Sequence, residues 1–349
     1  MSAAVYLAAM ENFITRWVDG GARLNIILFG LLMLTALGSM LVGDIATAPA
    51  RLGAWLIGRG DGFDAIIFET IRAPRIVLCV ITGFALGLAG AAIQGFLRNP
   101  LAEPGLLGAS NGAALGAVMV IYLGLASTLS FLVPLAAAAM ALLSVMVLLL
   151  VAGRGASSLR LILAGFAVSA FCGAGIALAL NLSPNYFAAL EIAFWLLGAV
   201  ENRSWLHVGL ALPGAALGCG LMLATAKQLD ALALGEDVAR SLGGNMTLLR
   251  GQIAVGLALA VGAVVSVTGV IGFVGLVAPH MVRGLCGAMP SRTLLPAALC
   301  GAILLVLADT AIRAIPTMSE LKLGVLTAFL GVPVLLVLLT RRGALLNPR

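Results

Sequence analysis

Asp309 and Arg313 stand four residues apart in the run LADTAIRAIPT, where a carboxylate and a guanidinium can pair on one helix face. A lone acid at membrane depth could instead hold a coupling proton or sodium ion. Few other side chains can do chemistry. The histidines are His207 and His280, and no HExxH pair exists. Lys227 and Lys322 are the lysines, and neither follows a glycine, so no phosphate-cradling P-loop can be built. Nucleophile elbows and paired intramembrane carboxylates are missing too, which argues against an intramembrane hydrolase. Cys79, Cys172, Cys219, Cys286 and Cys300 sit singly in apolar segments without a CxxC pair and read as small packing residues. No metal site is expected. Bare transition-metal ions need His, Cys or carboxylate ligands along their path, so a large organic molecule, or a metal already wrapped in one, suits this chain better.

The elements that must position these residues are membrane helices. The chain of 349 residues is 62% hydrophobic and 10% charged, against about 25% charged in an average soluble domain. Its mean hydropathy is +1.15. Apolar runs longer than about 18 residues recur, each a candidate span. We place ten, near 24–44, 73–97, 109–129, 131–152, 159–181, 206–226, 252–270, 272–288, 294–313 and 323–340, in a single polytopic domain covering 1–349. No charge interrupts Pro104 to Gly153, too long for one crossing, so a turn is expected near Ser127–Ser130. The overlong segment from Gly251 to Pro279 should turn at Gly269, Gly272 and Gly275. Ten spans put both termini on one side. Placing that side in the cytoplasm puts most of the twenty basic residues there, as the positive-inside bias requires. The net charge of +6 is therefore a membrane signature and not a nucleic-acid one. The first residues, with Glu11, Arg16, Asp19 and Arg23, do not read as a cleavable signal peptide. An outer interfacial helix is expected at about 186–205, with Trp195 and Trp205 at the headgroup level. Glycines four apart, at Gly83 and Gly87, at Gly108, Gly112 and Gly116, and at Gly214 and Gly218, allow close helix approach.

Two polar stretches interrupt this scheme. RNPLAEPGLLGASNGAALGAV, Arg98 to Val118, breaks a helix with residues whose polar groups must be satisfied. Such backbone is tolerated at membrane depth only where protein or a water-filled cavity surrounds it. Glu103 is expected to cap or pair within that loop. KQLDALALGEDVARSLGGNMTLLR, Lys227 to Arg250, is the longest polar stretch on the inner side. Gly235 and the Gly243-Gly244 pair bracket a short helix with Glu236 and Asp237 in its first turn and Arg240 nearer its end. Leu234, Val238 and Leu242 form an apolar stripe too short to span anything, suited to a groove on a partner. If cargo is moved against a gradient without a carrier's ion site or a P-loop, the energy must come from such a partner.

Here the chain resembles the FecCD-type permeases of binding-protein-dependent ABC importers, which take up ferric siderophores, haem or cobalamin. The segments that carry the resemblance run in order through nearly the whole chain. They are IRAPR (71–75), GFALGLAGAAIQGFLRNPLAEPGLLGASNGAALGA (83–117), LRLILAGFAVSA (159–170), GEDVARSLG (235–243), GVIGFVGLVAPHMVR (269–283) and LADTAIRAIPTMSELKLGVLTAFLGVPVLLVLL (307–339). The resemblance implies an all-α, type II importer permease that pairs as a homodimer in the bacterial inner membrane. Two cytoplasmic ABC ATPases would dock below, carrying the ATP and magnesium, and one substrate-binding protein above. This chain would itself hold no cofactor and catalyse nothing. The segment at about 228–250, with Leu234 to Val238, Arg240, Leu242 and Gly243, would be the ATPase-coupling element. Arg72, Arg75 and Arg313 would face acidic residues of the binding protein, since guanidinium binds carboxylate bidentately. Asn99 and Leu101, with Ser157 and Ser158 in the loop before the fifth span, would form the inner gate. Ferric complexes are favoured as cargo because most of the family carries them, with haem and cobalamin kept open. An ion-coupled carrier of an organic solute, dependent on Asp309, is the other reading.

Overall fold

Proline, glycine and the Asn185, Ser204 and Asn245 caps set many of the helix boundaries. The computed structural model describes the backbone of residues 3–43, 47–127, 131–153, 158–315 and 321–346, and within these the side chains from 21 to 336 apart from 127 and 158. Each of the ten expected segments is helical, and no strand occurs among the described residues. In chain order α1 is Ala3–Ser39, followed by the short α2 (Pro49–Leu56) and α3 (Gly62–Ala65). A π-helical turn, Ile66–Arg72, runs without a break into α4 (Ala73–Leu97), and Pro74, which has no N–H to give, follows that turn. Then come α5 (Ala109–Tyr122), α6 (Leu132–Ala152), α7 (Ser158–Asn181), α8 (Tyr186–Leu196) and α9 (Trp205–Leu223). After the paired short helices α10 (Ala226–Ala233) and α11 (Glu236–Ser241) the chain runs through α12 (Met246–Thr268), α13 (Val274–Arg283), α14 (Pro290–Ala314) and α15 (Leu323–Leu346).

Seven helical stretches among the described residues are long and apolar enough to cross a membrane. At 14 and 10 residues α5 and α13 are shorter than expected, about 21 and 15 Å at 1.5 Å per residue. The reason is visible in the chain: the polar break before α5 and the glycine-rich break before α13 are non-helical backbone, packed against each other inside the protein. The turn between α5 and α6 begins at Leu123, earlier than expected, and residues 128–130 of its predicted span lie outside the described residues. The break before α13 falls at Gly269–Phe273, leaving Gly275 inside the helix. The outer helix α8 ends at Leu196, short of the expected 205, because Gly198 turns the chain with φ +67°. Trp205 instead opens α9 and donates its indole N–H to the Glu69 carbonyl at 2.8 Å. All five cysteines are free and buried.

Hydropathy is similar along these helices, but burial is not. Helices α4, α12 and α14 are buried over most of their length, whereas α1 leaves side chains such as Ile26 and Leu34, and α7 Phe166 and Phe171, largely exposed. The glycine spacing explains the centre. A Cβ on Gly83 would lie 2.3 Å from the Gly301 carbonyl oxygen, and one on Gly87 2.3 Å from that of Ala297, so α4 and α14 touch backbone to backbone. Gly112 and Gly116 do the same between α5 and α6. Gly108 does not: it sits at φ +80° and starts α5.

Candidate functional site

The inner end of the bundle, as assigned by the basic residues, carries a hairpin of two short helices. Leu229 and Leu232 anchor α10 in the core. Gly235 turns the chain at φ +120° and Gly243, at φ +83°, ends the second helix, so α11 has the bounds that the glycines predict. Glu236 accepts from Arg240 at 2.8 Å and from Arg250 at 3.0 Å. Those bonds hold α11 with Leu234, Val238 and Leu242 outward, 69%, 43% and 68% exposed. Three apolar side chains on and beside a short helix positioned by a paired charge network form a surface able to enter an apolar groove.

Next to the hairpin lies the polar break. Arg98 adopts a left-handed conformation, φ 51°, and ends α4. The Asn99 carboxamide oxygen accepts from the Leu101 N–H at 3.0 Å, and Pro104–Leu107 forms a 3-10 turn. Asn99 is exposed and Leu101 half-buried. The buried Gln94 donates to the Ala102 carbonyl at 3.2 Å and the Gly275 carbonyl at 3.3 Å, and accepts from Arg283. Glu103 pairs across loops and not within its own: it accepts the Phe273 N–H at 2.8 Å, at the left-handed residue that starts α13. Every donor of the break thus named is met by protein, which is the condition for irregular backbone in an apolar bundle. Ser158 opens α7, and Ser157 lies outside the described residues. Gln94 and Arg283 were not picked out from the sequence; a glutamine inside the apolar run LAGAAIQGF was the available signal.

At the opposite end Arg72, Arg75 and Arg313 converge on one cavity of about 420 Å³, joined by Arg203, which sequence reasoning passed over. Arg313 and Asp309 pair at 3.0 Å as the i,i+4 spacing predicts, and Arg75 also donates to Asp309, at 2.9 Å. The Asp309 side chain is 1% exposed. Arg313 further donates to the Ser39 carbonyl at 3.1 Å and to the Val42 carbonyl, and Arg72 to Thr47 at 2.6 Å and to the Met40 carbonyl. The π-helical turn places Arg72 over the Phe68 ring, 5.8 Å from its centroid. Arg72 and Arg313 thus hold the end of α1 and the segment after it against α4 and α14, and Arg75 ties α4 to α14 through Asp309, while all three line the cavity. Arg203 differs: its Nε is buried without an acceptor, and its Nη1 lies 3.4 Å from His207. Burial pushes the Arg203 pKa down, with Glu201 acting in the opposite sense. Among the described residues no cluster of three or more His, Cys, Asp or Glu could hold a metal ion.

Comparison with known proteins gives this arrangement a family. The FecCD transport family model matches residues 31–341, spanning both the hairpin and the arginine cavity. The chain belongs to the FecCD transport family. It is a multi-pass permease of all-α, type II importer fold. This FecCD permease is 39% identical over 316 residues to the vitamin B12 import system permease BtuC of Salmonella typhi, covering 89% of this chain and 93% of that one. It is 40% identical over 292 residues to the uncharacterized ABC transporter permease YvrB of Bacillus subtilis, 82% of each chain. A solved structure of a metal-chelate type ABC transporter in an inward-facing conformation superimposes with a TM-score of 0.81 at 28% identity, over 92% of this chain and 99% of that one.

Proposed function

We propose that this FecCD permease is the transmembrane subunit of an ABC importer that moves a metal-chelate cargo across the bacterial inner membrane. The observation that carries the reading is the α10–α11 hairpin. It presents an exposed apolar stripe on a positioned helix at the segment GEDVARSLG, where the resemblance puts the ATPase contact. Two permease copies would enclose the path, and two ATPases, which supply the ATP and magnesium sites, would push on the hairpins and rock the halves between facing states. Asn99 and Leu101, next to the hairpin, would line the inner gate. The arginine cavity at the other end would receive acidic side chains of the binding protein, since a concave, guanidinium-lined surface attracts and orients carboxylates. Likeness to vitamin B12 permeases over 89% of the chain makes cobalamin the first cargo to test, ahead of ferric siderophores and haem. The ion-coupled alternative loses its main residue, because Asp309 is held between two arginines.

The test is ATP-driven uptake in proteoliposomes containing the chain, its ATPase and its binding protein, offered labelled cobalamin, ferric siderophore and haem in parallel. Uptake of one cargo that stops without ATP is the expected result. Uptake by this chain alone, driven by an ion gradient, would overturn the reading.

A further inference from the structure

The coupling hairpin is fastened to the rest of the bundle at a point that its docking stripe does not explain. Asp230, on α10, accepts the Ser291 N–H of α14 at 2.9 Å. That amide belongs to the first turn of α14, where backbone donors have no partner within the helix. Met289 at the helix start supplies no side-chain cap, and Pro290 has no N–H to give. The cap of α14 is therefore provided by a different helix. A carboxylate there also meets the positive end of the α14 dipole. Leu229, beside Asp230, is fully buried and packs near Gly95 of α4, as does Pro290 of α14.

What α14 carries at its other end gives the contact its meaning. The helix has 25 residues, about 37 Å at 1.5 Å per residue. Near its far end Arg313 lies in the wall of the arginine cavity, paired with the buried Asp309 behind it. Along its length it lies backbone to backbone on α4 at Gly83 and Gly87, and Arg75 of α4 joins the same ion cluster. Helices in such contact move as one body, because neither can slide without a clash. The structure assigns Asp230 a positioning role: its carboxylate locks the coupling hairpin to the α4–α14 pair, so that displacement of the hairpin by the ATPase moves the wall of the outer cavity. This inference rests on the coupling function proposed for the hairpin.

The test uses the complete transporter in proteoliposomes and reads cargo taken up per ATP hydrolysed, with co-purification of the ATPase measured on the same preparations. Asp230→Ala removes the acceptor, Asp230→Leu removes it while filling the space, and Asp230→Asn keeps an oxygen for Ser291. Retained ATPase with a fall in uptake per ATP of about fivefold in the Ala and Leu variants is expected, the equilibrium equivalent of one helix cap, with the Asn variant near the parent value. A ratio within twofold of the parent in Ala and Leu would overturn the proposal, as would loss of assembly in all three variants, which would reveal a folding role. A parent chain that purifies without its ATPase would overturn the coupling function of the hairpin and this inference with it.

Discussion

The two ends of this permease handle charge and apolar surface in opposite ways. At the hairpin, leucines and a valine face outward while Glu236 and two arginines tie the local structure together at the surface. At the outer cavity, an aspartate and two arginines are drawn inward and bond to helices far apart in sequence. An exposed apolar stripe costs free energy until something covers it, which is why the proposed function places the ATPase there. A buried ion cluster costs free energy if any member is lost, so the outer cavity is first a structural knot and second a surface that can attract carboxylates. If Arg72, Arg75 and Arg313 also dock the binding protein as proposed, their substitution would mix loss of docking with loss of structure.

The largest expected break in that contrast comes from the hairpin. Leu234→Asp with Leu242→Asp should weaken ATPase binding by about a hundredfold or more, since each buried leucine contributes about 1.5–3 kcal/mol; pull-down of the ATPase in detergent measures it. Thermal stability of the permease alone should hardly change. At the other end the pattern reverses. Asp309→Ala strands two guanidinium groups and should cost about 3–5 kcal/mol of stability, seen as a lower unfolding temperature in nanodiscs. A stable Asp309→Ala protein that loses only ion dependence would revive the carrier reading.

Between the two ends, Gly83→Ala should cost about 1–3 kcal/mol by forcing α4 off α14, and unfolding in a denaturant series would register it. The smallest effect is expected from Glu236→Gln, which keeps an acceptor oxygen while weakening the exposed pair with Arg240, worth about 0.2–1 kcal/mol, and the part-buried one with Arg250. Uptake falling less than threefold would agree, and complete loss would mean that Glu236 itself touches the ATPase.

Much of this was legible in the chain before any coordinates. The lengths of the apolar runs located ten helical segments, seven of them long and apolar enough to cross a membrane among the described residues, because a helix must satisfy its own backbone in lipid whatever surrounds it. Gly235 and Gly243 bounded α11 because turns at positive φ favour glycine whatever lies nearby. The Asp309–Arg313 pair followed from helical periodicity alone. These are local rules, and local rules can be read along one dimension.

What the tertiary structure decided concerns partners distant in sequence. Arg75 shares Asp309 across 234 positions, Glu103 caps the start of α13 and not its own loop, and Asp230 caps α14 across 61. Arg203, a single arginine in a polar loop, gains its place only because Arg72, Arg75 and Arg313 surround the same cavity. The shortness of α5 and α13 belongs here as well: the break before α13 stays unwound where Glu103 of the other break accepts the Phe273 N–H, and Gln94 of α4 bonds to the Ala102 carbonyl of the break before α5. Sequence determines which groups need a partner; only packing decides which partner each one finds.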